Sequence, residues 1–167
     1  MSWLRPCRKR FRLNRMSERP KKPERPRDEL GRPQPWDAEN ALQMEEFDAL
    51  TLEENQRLGV AHFNAARYFP AHEAWETAWK QAKGTDDAEF FKGLSQLGAG
   101  YVHLLRGNAH GAVTLLRRAA GRISRYPAGH HGVDSSAVAR RAEADAEAVE
   151  RGELLPGPDA LSRPPRL

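Results

Sequence analysis

The pattern of apolar and polar positions reads as helical from Asp37 to Val149, and nowhere in that span do apolar side chains alternate as a half-buried strand would. In "LTLEENQRLGVAHFNAARYF" Thr51 stands three residues before Glu54, a capping box, and Leu58, Ala61 and Ala65 follow at helical spacing, which predicts a helix over about 52–66. Pro70 lacks an amide hydrogen and suits a first turn, so a second helix is expected from there to about Ala82, before Gly84. Thr85, Asp86 and Asp87 offer caps for a third. That helix, "AEFFKGLSQLGAGYVHLLRG", lines Phe90, Leu94, Leu97, Tyr101 and Leu104 along one side. Gly93, Gly98, Ala99 and Gly100 interrupt it, and the glycines cost helix propensity, which makes sense where neighbouring backbones approach closely. It is expected to be the central helix.

Gly107 and Asn108 form the turn into "AHGAVTLLRRAAGRISRY", whose stripe is Ala112, Leu115, Leu116, Ala119 and Ile123. Arg117, Arg118, Arg122 and Arg125 fall mostly off that stripe, as a solvated face would, with anion binding as the alternative. Pro127 and Gly129 end this helix, and Asp134 can cap a weaker one over Ser135 to Glu150. The successive hairpins share tetratricopeptide geometry, but the 34-residue signature is not met. The fold class is therefore all-α: a compact bundle of about five helices built from hairpins, occupying residues 36–150, with disordered tails at 1–35 and 151–167.

Composition explains the tails. Mean hydropathy is −0.78 and charged residues make up 30% of the chain, polar values for a single folded unit. Residues 1–35 hold 12 Lys/Arg against Glu18, Glu24, Asp28 and Glu29, a net +8; the remainder has 15 basic and 19 acidic residues, a net −4. The basic, Pro-rich segment cannot bury enough surface to offset its ordering entropy. Such an arm can bind nucleic acid through phosphates, yet no aromatic platforms are interleaved with its charges, and a solvated tail is the simpler reading. Two others concern its start: Met16 opens an ordinary polar N-terminus, so residues 1–15 are accounted for by an upstream start, and the Arg-rich leader also has features of a transit peptide. Cys7 alone supports neither a disulfide framework nor a cysteine zinc site. No apolar run approaches the roughly 18 residues a membrane span needs, which leads to the expectation of a soluble, cytoplasmic protein.

The chemistry concentrates in "FPAHEAWETAWK". The blocks "FNAARYFPAHEAWETAWK", "FFKGLSQLGAGYVHLLRGN", "GAVTLLRRA" and "GVD" closely resemble the DUF309 family, small all-helical proteins of unknown function. The resemblance covers about residues 54–134 and rests on Phe63, Asn64, Tyr68, Phe69, His72, Glu73, Glu76 and Trp79. It continues through Gly93, Leu94, Gln96, Leu97, His103, Arg106, Gly107, Asn108, Gly111 and Ala112. Ser95 replaces a usual Ile and Gly98 an Ala, departures expected to soften packing. The resemblance implies a helical bundle and no activity.

On a helix, Glu76 lies about 40° and Glu73 about 100° from His72, beside Trp75 and Trp79. Gln96 and His103, seven residues apart on the third helix, lie away from its apolar stripe and are expected to meet this cluster. Two readings stand side by side. In one, the groups form a buried network with one another, the helix N-terminus and the Asn64 amide. In the other, His72, Glu76 and His103 hold a divalent metal and Glu73 serves as base. "HEAWE" differs from the H-E-x-x-H zinc motif in its last residue. Tyr68, Trp75 and Trp79 read as core in support of the site, and His130-His131 as a loop pair able to catch a metal adventitiously. The functional expectation is a module binding a protein, peptide or small ligand, with a metal-dependent hydrolase or other acid-base enzyme using His72, Glu73 and Glu76 as the alternative; no residue is assigned a catalytic role.

Overall fold

A computed structural model describes residues 24–167; Cys7, Met16 and the first two-thirds of the basic tail lie outside the described residues. A 3-10 turn at Phe47–Ala49 precedes five helices: α1 (Leu52–Asn64), α2 (Tyr68–Gln81), α3 (Ala88–Leu105), α4 (Ala109–Ile123) and α5 (Ser135–Glu150). Among the described residues there is no strand, only isolated bridges at Arg27–Pro33 and His130–Val133. Among the described residues no helix is long and apolar enough to cross a membrane.

Each helix packs against its neighbours in sequence, so α2, α3 and α4 form the inner part of the array. The stripe Phe90, Leu94, Leu97, Tyr101 and Leu104 is at most 1% exposed; burying each such side chain contributes about 1.5–3 kcal/mol. The expected reason for the glycines of α3 holds. A Cβ on Gly93 or Gly100 would come within 2.9 Å of Ile123 or Leu116 of α4, and one on Gly98 within 3.0 Å of the His72 backbone of α2.

Caps define most of the boundaries. The Thr51–Glu54 capping box forms with both of its hydrogen bonds, and the one donated by the Thr51 backbone N–H, with the Thr51 side chain nearby, holds the Glu54 carboxyl below its ordinary value. Asn108 accepts from Gly111 N and Asp134 from Ala137 N. α2 begins two residues before Pro70, which then sits inside the first turn where a missing N–H costs nothing. Asp87 occupies the N-cap position of α3 but makes no capping hydrogen bond. Its carboxylate is engaged elsewhere, as described below.

The buried face of α1 differs from the expected stripe. Ala61 and Ala65 are exposed and Leu58 only partly buried, while Asn55, Gln56, Gly59, His62 and Phe63 face inward. Polar groups can do so because each amide nitrogen finds a partner: Asn55 donates to the Phe47 carbonyl at 3.1 Å, and Gln56 accepts from the Trp75 indole at 2.8 Å while donating to the His131 carbonyl at 3.0 Å. Gly59 makes room for the indole.

Residues 37–46 are not helical, and the segments flanking the helices lie on the bundle. Arg106 donates to the Leu30 carbonyl, and Arg27 and Arg106 both stand over the Phe69 ring. Residues 151–167, expected as a disordered tail, have no regular structure but place Leu154, Leu161 and Leu167 against the core. The reason is local chemistry: Leu167 N donates to Asn64 Oδ1 at 2.9 Å, and Arg141 donates to the Arg163 carbonyl at 3.1 Å.

Candidate functional site

His72, Glu73 and Glu76 project from the second and third turns of α2, each partly exposed, with ligating atoms that all lie within 4.8 Å of one another. The first anchor of His72 comes from α3. Its Nδ1 lies 3.0 Å from both the backbone oxygen and Oγ of Ser95. A carbonyl only accepts, so contact with Ser95 O requires Nδ1 to carry a proton, and in the neutral ring Nε2 then presents its lone pair. That lone pair faces Glu73 Oε1 and Glu76 Oε2, each at 3.7 Å, beyond hydrogen-bond length. Glu76 Oε1 is paired with Lys80 Nζ at 3.1 Å.

The other expected members are distributed differently. His103 Nδ1 lies 2.8 Å from Asn108 Nδ2 in the α3–α4 turn. Partial burial, then the charge of Arg106, lower its pKa. Gln96 keeps Oε1 out of solvent without a hydrogen-bond partner. Asn64 is bound to Leu167 rather than to the cluster. Tyr68 stacks on Tyr101 at 5.1 Å between ring centroids, and burial pushes its phenol to about 12, with Arg141 opposing and Asp145 adding. Trp75 is fully buried against α1. Trp79 is partly buried against the core, with the ammonium groups of Lys83 and Lys92 5.5 and 5.0 Å from its ring. A cleft of about 310 Å³ adjoins the cluster, lined by Arg25, Arg27, Met44, Phe69 and Glu73. The arginines of α4 are partly paired: Arg117 reaches Glu143 and Glu150, and Arg122 reaches Glu89.

Sequence spacing treated Ser95 as a packing departure and Asp87 as a cap. Both have other roles in the structure. Asp87 Oδ1 contacts His130 Nε2 at 2.8 Å and its Oδ2 contacts His131 Nε2 at 3.0 Å. The hydrogen bond from His131, against partial burial, and then that from His130 hold the Asp87 carboxyl below its ordinary value. The only sequence signal for this grouping was the adjacent histidine pair, because its carboxylate lies more than 40 residues upstream.

No curated protein and no solved structure matches the chain. The family model of DUF309, a domain of unknown function, matches residues 57–115. This span runs from within α1 to within α4 and contains His72, Glu73, Glu76, Ser95, Gln96 and His103. The segment that builds α2 and α3 is thus similar to the DUF309 domain.

Proposed function

We propose that this protein is a binding module whose ligand on the α2–α3 face is a divalent cation held by His72 Nε2, Glu73 and Glu76. The observation that carries the reading is the pair of 3.7 Å separations, which place Nε2 of an imidazole anchored through Nδ1 beside two carboxylates without hydrogen-bonding either. A cation between them would satisfy all three groups. The Nδ1–H to Ser95 carbonyl contact supports it, because a ligating histidine commonly anchors its other ring nitrogen in this way. Glu73 takes the third position that spacing alone gave to His103. Partial exposure leaves coordination positions open to water or to an anionic group of a second ligand.

Binding is favoured over hydrolysis by the state of the neighbouring cations. Beyond the ion itself, a hydrolytic site gains from a second group placed to stabilise developing negative charge. Here Lys80 is paired with Glu76, Arg106 donates to the Leu30 carbonyl, and Lys92 lies between Glu89 and Trp79.

The test is a set of denaturant melts on protein lacking a polyhistidine tag, with and without Mn²⁺. At an ion concentration one hundred times Kd, binding to the native state alone adds about 2.7 kcal/mol. That increment should vanish in His72→Ala and fall in Glu76→Gln. A manganese effect that is absent from wild type, or that persists in His72→Ala, would remove the reading.

A further inference from the structure

His130 and His131 are adjacent, and in an extended chain adjacent side chains point to opposite faces. In the loop between α4 and α5 they do not. His131 adopts a left-handed φ of 47°, a conformation uncommon outside glycine though enriched for histidine. The reversal brings both Nε2 atoms to one carboxylate, that of Asp87 at the start of α3.

The loop is built to hold this arrangement. Gly129 and Gly132 take positive φ values of 86° and 78°. Gly129 N donates to the Val133 carbonyl at 2.8 Å, and Val133 itself is fully buried. Gln56 of α1 donates to the His131 carbonyl, and Ser135 Oγ donates to that of Pro127. Aromatic rings restrict both imidazoles: Phe90 meets His130 edge-on at 4.7 Å, Tyr126 stacks on it at 4.8 Å, and Phe91 lies 4.9 Å from His131. The three ligating atoms lie within 4.8 Å of one another, and the side chains remain between about a quarter and a third exposed.

We propose that Asp87, His130 and His131 form a second metal site, specific for an imidazole-preferring divalent ion such as Zn²⁺ or Co²⁺. Two neutral imidazoles and one carboxylate supply three ligands, the number found in open zinc sites, and solvent access leaves a fourth position for water. The donor set differs from that on α2, where two carboxylates and one imidazole favour a harder ion such as Mn²⁺. The alternative is a clamp of two imidazole N–H donors on one carboxylate. Metal binding would displace both of those protons, so the two arrangements exclude each other.

The experiment titrates chelator-treated, full-length protein without a polyhistidine tag, using Co²⁺ followed by Zn²⁺. Wild type should develop the visible bands of low-symmetry cobalt at one equivalent, and Zn²⁺ should bleach them. Asp87→Asn keeps the shape but lowers the donor charge, and His130→Gln removes a ligand; each should weaken cobalt binding at least tenfold. His72→Ala should leave the bands and their stoichiometry unchanged, which separates this proposal from the α2 reading. His131→Asn tolerates the left-handed backbone, so it provides a folded ligand-loss variant, with helical circular dichroism as the check. Absence of cobalt bands in wild type, or equal binding by wild type and folded Asp87→Asn and His131→Asn, would overturn the site and leave the hydrogen-bonded clamp.

Discussion

The two polar clusters use the same chemical groups and are assembled in opposite ways. His72, Glu73 and Glu76 occupy consecutive turns of one helix, so α2 alone brings them together and α3 only orients the ring through Ser95. Asp87, His130 and His131 come from a helix start and a distant loop, and exist as a group only when α3, α4 and α5 have packed. A local cluster is written in residue spacing and is relaxed, with its carboxylates 3.7 Å from the imidazole. A tertiary cluster is invisible to spacing and is tight, with contacts of 2.8 and 3.0 Å. The difference shows that a motif can be easy to find without being the most closely organised chemistry in the molecule.

The largest effect on the local cluster should come from its neighbour on α3. Gly98 lets the His72 backbone approach so closely that a Cβ there would lie 3.0 Å from His72 N and Cα. Gly98→Leu introduces a good helix former, so any loss reports overpacking rather than propensity. We expect a destabilisation of about 1–3 kcal/mol in denaturant melts. The wedge should also separate His72 from Ser95 and reduce manganese affinity tenfold or more, while cobalt binding at Asp87 stays as in wild type. Unchanged manganese affinity would show that α3 does not position the ring, and the contrast between a local cluster and its orienting helix would fail.

Much of the fold was legible because local signals and burial agree: apolar period and small residues in α3, and caps as well in α4 and α5. α1 was read on the wrong face for a physical reason: its inward side is made of Asn55, Gln56, Gly59 and His62, which periodicity in apolar residues cannot identify. Their amides and ring serve groups remote in sequence, including Trp75, His131 and Glu45. The same limit applies to the sites. His72, Glu73 and Glu76 were found from helical spacing, whereas Ser95 looked like a lost aliphatic contact and Asp87 like a cap. Nothing in a one-dimensional pattern indicates that a cap position gives up its capping hydrogen bond to receive two histidines.

A smaller effect would test whether the clusters act independently. Ser95 beside one and Asp87 in the other are eight residues apart on α3, about 12 Å along the axis. Sites farther apart than about 7–10 Å that share no partners add within roughly 0.3–0.5 kcal/mol. In chelator, the destabilisation of His72→Ala combined with His130→Gln should therefore equal the sum of the single changes within that range. A coupling above about 1 kcal/mol would mean that α3 links the two groups mechanically, so that the local cluster is not local in its energetics.

The smallest expected effect concerns His103, which spacing placed among the ligands of His72. Its Nδ1 lies against the Asn108 amide, and Asn108 also caps α4 through Gly111 N, so the ring is held toward the α3–α4 turn. A Cβ on Gly111 would come within 2.5 Å of that Nδ1, which shows how closely the turn surrounds it. His103→Gln retains a polar side chain able to meet Asn108 and removes the imidazole. Because Glu73 supplies the third ligand in the proposed site, manganese affinity measured by equilibrium dialysis should change less than about twofold, under 0.4 kcal/mol. His72→Ala, treated identically, should abolish binding. A tenfold loss in His103→Gln, comparable to losing Glu76, would bring His103 back to the cation and require the α3–α4 turn to rearrange when the ion binds. The local cluster would then be completed by tertiary structure, as the Asp87 cluster is, and the distinction between them would lie only in whether the ligand or the fold brings the last group into place.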